Sequence, residues 1–472
     1  MRRGLAPFLL LAACAAPPAA GEDPLLLSGP MLGAVEPDRM RLWVELTRPA
    51  TLQLELSREG GPWEAAESAD GSWDLEVGRL RGQALFVGLQ PATAYRYRLR
   101  AEGDLLPQQG EQAFRTPPPE GEWENLTIGF GSCAGDWGPD PTQPIFRTIA
   151  GFAPTLFLWL GDNVYFDRYA VEWEDPARME ERWRVQRAMP SLQELLADSS
   201  NLSIWDDHDY GPDNSDSSYP LRFESLRLFT SYWANPGAGG PGEDGIWYSF
   251  RRGQVEFFML DTRFDRSPDA APNDDRKQML SPAQWDWLER GLRASDAVFK
   301  VIVSGNQVLA DYHRFETWGM YPRDRERLYR LLREEGVAGV VLLSGDRHLG
   351  EVLRREDGLP YPLYEFTASP LAAGIGEATP DHLAPERLPG TQVRVEHFGL
   401  LTFRQGTEGP ELTFRPHDVA GRPIGRPVLV RAAELQVVIL AQHRADAGSA
   451  SATSRRAADR GVADHELIAL LR

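Results

Sequence analysis

The stretch Leu156-Phe157-Leu158-Trp159-Leu160-Gly161-Asp162 is the clearest of six short apolar runs that stop abruptly at a polar, charged or metal-binding residue. Continuous runs rich in Val, Ile, Leu and Phe, bounded by Gly or Ser, are typical of strands buried on both faces. The other five are Leu126 to Phe130 before Gly131-Ser132-Cys133, Leu202 to Trp205 before Asp206-Asp207-His208-Asp209, Val255 to Leu260 before Asp261-Thr262-Arg263, Val301 to Val303 before Ser304-Gly305-Asn306, and Val337 to Leu343 before Ser344-Gly345-Asp346-Arg347-His348. We therefore predict a layered α/β domain.

The ends of these runs predict one active site, because ligands in α/β sheets bind beyond the carboxyl ends of the strands. The side chains expected to converge there are Cys133, Asp162, Asp206, Asp207, His208, Asp346 and His348. So many acids are costly to bury unless cations compensate them. The pattern therefore favours a metal site.

Composition bounds the class of protein. The chain has 472 residues, 42% of them hydrophobic, which is enough for two or three domains with a large core. Its formal net charge of −19, without a block of Lys or Arg, argues against wrapping nucleic acid, since phosphate neutralisation needs clustered cations. An anionic substrate would need a local positive charge, which bound metal ions could supply.

The first residues are typical of an export signal. Arg2-Arg3 precedes an apolar stretch from Leu5 to Ala13 that is too short to span a membrane. Leu11-Ala12-Ala13-Cys14 resembles a bacterial lipobox, which predicts a signal over residues 1–13 and a lipid anchor on Cys14. The alternative is cleavage near Ala20-Gly21, with a signal over residues 1–22. Either predicts a periplasmic protein, or a lipoprotein on the extracytoplasmic side of the membrane.

Cys133 would then be the lone cysteine of the mature chain, because Cys14 is removed or acylated. A free thiol in an oxidising compartment is a liability unless it is buried or coordinated. Two interpretations stay open: a metal thiolate, favoured by the other candidate ligands at strand ends, and a small buried hydrophobic residue.

Three regions follow along the chain. Residues 24–117 alternate in short segments separated by turns, which predicts an antiparallel β-sandwich, and Leu89 to Tyr97 resembles the tyrosine corner of fibronectin type III and immunoglobulin-like domains. Thr116-Pro117-Pro118-Pro119 predicts a stiff linker. Residues 120–430 are the predicted catalytic domain, and residues 432–472 are expected to be a poorly ordered or atypical tail.

The sequence predicts the start of two helices. Ser281-Pro282-Ala283-Gln284 combines a cap residue, a proline at the first helical position and a capping-box Gln, which predicts a helix through Leu292. A second helix is expected to begin near Pro322.

The central segment of the predicted site is Gly161-Asp162-Asn163-Val164-Tyr165. Asp162 can bridge two metals through its two oxygens, and Tyr165 can reach one of them as a phenolate if that metal is a strong Lewis acid. Asp346 and His348 are two residues apart, a spacing that lets both reach a single ion.

Together these blocks resemble the alkaline phosphatase D family of metallophosphatases, from about Ser28 to Leu412. The resemblance implies a four-layered α/β/β/α catalytic domain after the sandwich. It implies ferric iron and calcium as the metals, with other divalent metals as alternatives. The implied reaction is hydrolysis of phosphate mono- and diesters. It also implies a small-molecule phosphate ester as substrate, and a monomer is expected.

The family's ligands map onto this chain residue by residue. Cys133 and Tyr165 match the iron thiolate and phenolate, Asp162 the bridging carboxylate, and Asp346 with His348 the C-terminal ligand pair. Asp207 and the residues after it match the side of the second metal, with His208 near the phosphate.

Two positions depart from the family pattern. This chain has Gly211-Pro212-Asp213-Asn214 after the acidic block, so either Asp213 or Asn214 is the expected ligand. The segment Thr317 to Tyr321 lacks the acid that relatives place in their calcium site, although Glu316 lies just before it.

The expected reaction is in-line attack on phosphorus by a metal-bound hydroxide. Asp207, His208 and Arg263 are its candidate catalytic residues. Arg263 would hold the phosphate with two hydrogen bonds, or instead pair with Asp265 or another acid. His208 would protonate the leaving alkoxide, or instead orient Asp207. Asn306 would touch substrate, or instead form a turn.

Two other functions compete with this one. Cys133 could be the nucleophile of a thiol hydrolase, with His208 or His348 as base, although that leaves the acids unexplained. Alternatively, the chain could be a catalytically inactive surface-binding lipoprotein whose sandwich binds a partner.

Overall fold

The computed structural model describes residues 24–69, 73–76, 80–106, 112–136, 140–167 and 172–437. The predicted signal with Cys14, and the predicted tail beyond residue 437, lie outside the described residues. The predictions made for them, and the domain boundaries, stay predictions.

The N-terminal part consists of short antiparallel strands. In chain order they are β1 (Leu26–Val35), β2 (Arg39–Leu46), β3 (Ala50–Arg58), β4 (Trp63–Ala65), β5 (Glu67–Ser68), β6 (Trp73–Leu75), β7 (Arg81–Val87), β8 (Ala94–Ala101), β9 (Asp104–Leu105) and β10 (Ala113–Arg115). They form one sheet in the order β1-β2-β7-β5 and a second in the order β10-β8-β3-β4, with β6 on β3 and β9 on β8. Side chains from both sheets, such as Leu42 and Leu99, share one apolar core.

Tyr95 is hydrogen-bonded to the turn that precedes its strand. Its phenol oxygen accepts from the backbone N–H of Gln90 at 2.9 Å, and its ring stacks on Phe114 with centroids 5.4 Å apart. A buried phenol needs such a partner, so this contact fixes the turn before β8.

The elements of the larger part alternate between helix and strand. In chain order they are β11 (Leu126–Gly131), α1 (Ile145–Gly151), β12 (Leu156–Leu160), α2 (Pro176–Arg187), α3 (Gln193–Asp198), β13 (Ser200–Ile204), α4 (Asp207–Tyr210), α5 (Arg222–Tyr232), β14 (Tyr248–Arg252), β15 (Val255–Met259), α6 (Pro282–Ala294), β16 (Phe299–Val303), α7 (Pro322–Glu334), β17 (Val340–Ser344), β18 (Glu351–Arg355), β19 (Leu363–Thr367), β20 (His397–Gly406), β21 (Gly409–Asp418) and β22 (Val428–Arg431). All six predicted runs are strands.

The six runs are divided equally between two sheets. One sheet has the order β13-β12-β11-β20-β21-β22, and the other has the order β14-β15-β16-β17-β19-β18. Strands β11, β12 and β13 are parallel neighbours, as are β15, β16 and β17. The carboxyl ends within each trio therefore share an edge.

Aromatic contacts define the layers. Phe299 and Phe366 of the second sheet contact Phe403 and Phe414 of the first, with ring centroids 5.4 and 5.1 Å apart. On the outer faces, Phe146 of α1 contacts Trp159 of β12 at 5.4 Å, and Trp287 of α6 contacts Phe258 of β15 at 5.9 Å. The order is helix, sheet, sheet, helix, which agrees with the predicted α/β/β/α arrangement.

Loops from the two sheets meet at one rim. The backbone N–H of Gly345, after β17, donates to the carbonyl of Gly305, after β16, at 2.8 Å. The backbone N–H of Asp346 donates to Ser132 Oγ, after β11, at 3.1 Å. These bonds join strand ends of both sheets into a single site.

Helix α6 begins where the sequence indicated, but its Gln has another partner. Ser281 Oγ accepts from the N–H of Gln284 at 3.2 Å, and Trp285, Leu288 and Leu292 are buried. The Gln284 side chain does not close the predicted capping box. It accepts from the N–H of Asp261 at 2.8 Å and donates to the carbonyl of Asp261 at 2.9 Å. These two bonds satisfy the buried end of β15 and tie the helix to it.

None of the helices in the described part of the chain is both long enough and apolar enough to cross a bilayer.

Replacing Ser281 with Ala removes the N-cap acceptor of α6. We expect the free energy of unfolding to fall by about 1 kcal/mol, measured as a lower urea midpoint with an unchanged slope. Ser231→Ala in α5 is the matched control, because Ser231 Oγ bonds to Leu228 O within its own helix at 2.8 Å and caps nothing. Equal midpoints for the two variants would show that the cap contributes nothing.

Candidate metal centre

Three chemically different donors surround one carboxylate, that of Asp162, at the rim. Cys133 Sγ lies 3.3 Å from Asp162 Oδ2, and the Tyr165 hydroxyl donates to the same oxygen at 3.2 Å. The Tyr165 hydroxyl is also 3.3 Å from His348 Nε2. The candidate ligand atoms of Cys133, Asp162 and His348 all lie within 4.8 Å of one another. A thiol, a carboxylate, a phenol and an imidazole are thus within reach of one ion.

A second group shares the same carboxylate. Candidate ligand atoms of Asp162, Asp207 and His208 also lie within 4.8 Å of one another. While Asp162 Oδ2 faces Cys133 and Tyr165, its Oδ1 lies 3.4 Å from the backbone N–H of His208. Asp162 thus belongs to both groups, and its two oxygens have different neighbours.

The loops that carry the donors have unusual backbone. Positive φ angles occur at Cys133 (62°), Asp162 (52°), Asn214 (59°), Asp346 (64°) and His348 (53°). Each costs a residue with a Cβ roughly 1 kcal/mol, and such strain persists only where the surrounding structure enforces it. Strained residues of this kind gather at functional sites, and here they coincide with candidate ligands.

Asp209 is the residue that holds two of these loops together. Its carboxylate accepts from the N–H groups of Asp206 at 2.7 Å, Asn163 at 3.2 Å and Asp162 at 3.3 Å. Burial raises the pKa of Asp209 to about 7, although these bonds oppose the shift. Sequence reasoning assigned Asp209 no role, but its position three residues after Asp206 at a helix start is a capping signal.

Two glycines permit the close approach of the loops. A Cβ on Gly161 would lie 2.5 Å from Asp206 Cβ, and one on Gly345 would lie 2.5 Å from Ser132 Oγ. Any larger residue at either position would push two candidate ligand loops apart.

Burial sets the protonation of the donors in the protein chain alone. It raises the pKa of the Cys133 thiol to about 12, with a further contribution from Asp346. It also raises the pKa of Asp162 well above its ordinary value, as it does for Tyr165. A multivalent cation would reverse these shifts, since a nearby positive charge favours the thiolate, carboxylate and phenolate forms. The donor set therefore fits a metal centre.

Several buried polar atoms have no hydrogen-bond partner among the described residues. Those beside the candidate ligands include Asp206 Oδ2, Asp207 Oδ1 and both polar side-chain atoms of Asn306, whose neighbour Gly305 packs against Asp206. Each such atom costs about 1–3 kcal/mol unless a ligand satisfies it. The amide of Asn306 makes none of the backbone bonds expected of a turn former, which favours the ligand-binding alternative.

Arg263 has the ion-pair role that the sequence left open. It is fully buried, and its Nε donates to Asp206 Oδ1 at 2.6 Å. Its Nη2 donates to Glu316 Oε2 at 2.6 Å, and its Nη1 donates to Glu316 Oε1 and to the carbonyl of Ser215, each at 3.1 Å. The partners are Asp206 and Glu316 instead of Asp265. With its donors directed at protein oxygens, the guanidinium is not placed to hold a phosphate, so the structure corrects that expectation.

The remaining predicted ligands differ in their exposure and in their contacts with the two groups. The Asp213 side chain is 70% exposed, 3.9 Å from His208 Nε2. Asn214 donates its backbone N–H to Asp207 Oδ2 at 2.7 Å, while its side chain donates to Asp213 at 2.6 Å. The Asp346 carbonyl lies 3.6 Å from Cys133 Sγ, and the Asp207 charge adds to burial in raising the pKa of Asp346. Asp213, Asn214 and Asp346 thus border the two groups without belonging to either.

His208 has a partner that the sequence did not indicate. Its Nδ1 lies 2.8 Å from Asp167 Oδ1, and its ring contacts that of Tyr165 with centroids 4.4 Å apart. Burial lowers the pKa of His208, but the carboxylates of Asp207, Asp162 and Asp167 outweigh it and raise the pKa well above its ordinary value. No motif marks Asp167, because its role arises only from the folding of its loop against α4.

Known proteins resemble this chain over most of its length. A solved structure of PhoD superimposes with a TM-score of 0.72 at 18% identity, covering 90% of this chain and 93% of that one. A purple acid phosphatase from yellow lupin (Lupinus luteus) superimposes with a TM-score of 0.60 at 13% identity, covering 85% of this chain and 74% of that one. These likenesses show the mixed α/β fold.

Sequence comparison agrees with the superpositions. Alkaline phosphatase D of Bacillus subtilis (strain 168) is 23% identical over 312 residues, which span 55% of this chain and 52% of that relative. The chain thus spans about half the length of that relative. A family model described as PhoD-like phosphatase matches residues 128–406, more than half of the chain. The chain therefore belongs to the PhoD-like phosphatase family.

Proposed function

We propose that this protein is a metal-dependent phosphoric ester hydrolase that acts on small phosphate mono- and diesters. The observation that carries the proposal is the carboxylate of Asp162, which belongs to two groups of candidate ligands. A carboxylate shared in this way could be a ligand of two metal ions, the arrangement that two-metal phosphoryl-transfer enzymes use. Family membership supports the same reaction class.

Cys133, Tyr165 and His348 would hold one metal, with ferric iron as the proposed ion. Asp346 stays a candidate for the ion that His348 holds. Asp162 would bridge to the second ion, proposed to be calcium, beside Asp207, with Asp213 and Asn214 as further candidates. When bound, the ions would supply Lewis-acid activation of water and neutralise phosphoryl oxygens. Thiolate and phenolate suit the iron position, whereas carboxylate and amide oxygens suit calcium.

His208 is proposed to donate a proton to the leaving alkoxide. With Nδ1 held by Asp167 at 2.8 Å, its Nε2 is directed toward the partly exposed side of the site, where Asp213 lies 3.9 Å away. Asp167 would fix the orientation and tautomer of the ring. In the alternative role His208 only orients Asp207.

The setting of the enzyme is part of the proposal. Export, with a lipid anchor on Cys14, would place it in the periplasm or on the extracytoplasmic face of the membrane, and a monomer is expected. The bond from Gln90 to Tyr95 supports a fibronectin III-like identity for the N-terminal sheets.

The two competing functions have less support. Cys133 is fully buried, its pKa is raised to about 12 by burial, and its Sγ contacts Asp162 and Ser369 instead of a His base. A binding protein without catalytic activity gives no reason for positive φ angles at five candidate metal ligands.

Asp162→Asn tests the bridging carboxylate. We expect kcat/KM for p-nitrophenyl phosphate and bis-p-nitrophenyl phosphate to fall by at least about 100-fold, since one amide cannot serve two cations. Plasma mass spectrometry should show less bound metal. The control is Asp286→Asn, whose side chain is 65% exposed. Near-native turnover by Asp162→Asn would refute the two-metal assignment.

Chelation and alkylation separate the enzyme classes. We expect prolonged chelation to abolish ester hydrolysis and metal addition to restore it, because the donors bind substrate-activating ions. Iodoacetamide should leave the folded holoenzyme active, because the Cys133 thiol is buried. The reverse pattern would establish a thiol hydrolase.

Asp167→Asn tests the orientation of His208. We expect kcat to fall by roughly 10–100-fold with bound metal unchanged, since an orienting partner acts on geometry. Asp311→Asn, with a 45% exposed side chain, is the matched control. Unchanged kcat in Asp167→Asn would leave His208 without the proposed role.

A further inference from the structure

We propose that Arg347 is the residue that binds the phosphoryl oxygens of the substrate, in place of Arg263. The inference rests on the proposed function, because it assigns a substrate contact within the same site.

Arg347 is an exception among the buried arginines. The described residues include six with at most 5% exposure: Arg187, Arg252, Arg263, Arg266, Arg347 and Arg387. The other five donate at least one side-chain hydrogen bond, as Arg387 does to Glu351 at 2.6 Å and Arg187 does to Tyr232 O at 3.1 Å. Within the described part of the chain, Arg347 Nε is buried without a partner and no carboxylate lies within 4.0 Å of the guanidinium.

An aromatic ring holds this unpaired cation in place. The guanidinium carbon of Arg347 lies 4.1 Å from the centroid of the Phe315 ring. Stacking uses the face of the planar group and leaves its edge, where all the N–H donors lie, available to an acceptor. Phe315 directly precedes Glu316, whose carboxylate accepts from Arg263.

The position of Arg347 along the chain brings it to the candidate ligands. It lies between Asp346 and His348, and both of these neighbours have positive φ. Gly376 stabilises this turn, because its backbone N–H donates to the carbonyl of His348 at 2.8 Å. The charge of Arg347 also affects His313. Burial is the main reason that the pKa of His313 is lowered to about 3, and the positive guanidinium lowers that pKa further.

The chemistry of the missing partner follows from these contacts. Burial of a guanidinium that no acid pairs by hydrogen bonds is unfavourable, and an anion at its edge would offset that cost. Its fork matches two oxygens of a phosphoryl group. In a chain of net charge −19, an unpaired cation beside the metal ligands is suited to an anionic substrate.

The test compares Arg347→Met, which keeps the packing on Phe315, with Arg347→Lys, which keeps the charge. The matched control is Arg314→Met, because Arg314 stacks on the same ring at 5.3 Å but has a 75% exposed side chain paired with Glu377 at 3.2 Å. The measurements are KM for p-nitrophenyl phosphate, the inhibition constant of inorganic phosphate, direct calorimetric binding of inorganic phosphate, bound metal and melting temperature, all on holoenzyme.

Arg347→Met should raise KM and weaken phosphate binding by about 10-fold or more, the usual effect of losing a hydrogen bond to a charged group. Arg347→Lys should restore part of the loss, and Arg314→Met should change it less than about twofold. Bound metal should stay at the wild-type level in all three. Undiminished phosphate binding by Arg347→Met would overturn the proposal, as would metal loss that accounts for the defect.

The two proposals fail in different ways. A wild-type holoenzyme without metal-dependent ester hydrolysis would refute the proposed function, while calorimetry with inorganic phosphate would still measure the contribution of Arg347. Active wild type with Arg347→Met equal to it would refute the assignment of Arg347 alone. If Arg347→Met does not fold, unimpaired phosphate binding in Arg347→Gln overturns the assignment, and a 10-fold loss supports it.

Discussion

The crowding of buried carboxylates around Asp162 is the constraint on which the rest of the structure depends. Asp162, Asp206, Asp207 and Asp209 are all at most 3% exposed, and repulsion among them is not relieved by solvent. Three kinds of compensation are present: backbone N–H groups satisfy Asp209, the guanidinium of Arg263 neutralises Asp206, and donors of metal-binding type surround Asp162. The first two stabilise the fold, and the third is left for a cation.

The layered fold makes this crowding possible. Two trios of parallel strands end at facing edges, so loops from different sheets meet within hydrogen-bond distance. Close approach then requires glycine at Gly161 and Gly345, and left-handed backbone at Cys133, Asp162 and His348. Packing of the two sheets stabilises the fold enough to hold these residues in unfavourable backbone conformations. The strained residues accordingly lie just beyond the ends of well-packed strands.

The two arginines of the site illustrate how burial assigns roles. Arg263 and Arg347 follow strand ends in the two halves of one sheet, and both are almost inaccessible to solvent. Arg263 meets carboxylates on two sides and becomes a structural cation. Arg347 meets an aromatic face, which orients its charge without neutralising it. Residue type was the same in both cases, and only the surroundings distinguish a fold-stabilising charge from one available to an anion.

By itself the sequence determined the strands, the capped helix α6 and the set of candidate ligands, because hydrophobic runs, cap residues and chemical type are local properties. It did not determine that the runs divide between two sheets, that Gln284 bonds to Asp261, or that Asp167 holds His208. Nor could it choose between the two roles of Arg263, since that choice depends on Glu316, more than fifty positions away along the chain. Such pairings are decided only by the tertiary structure, because hydrogen bonds and ion pairs depend on distances in space that residue spacing does not encode.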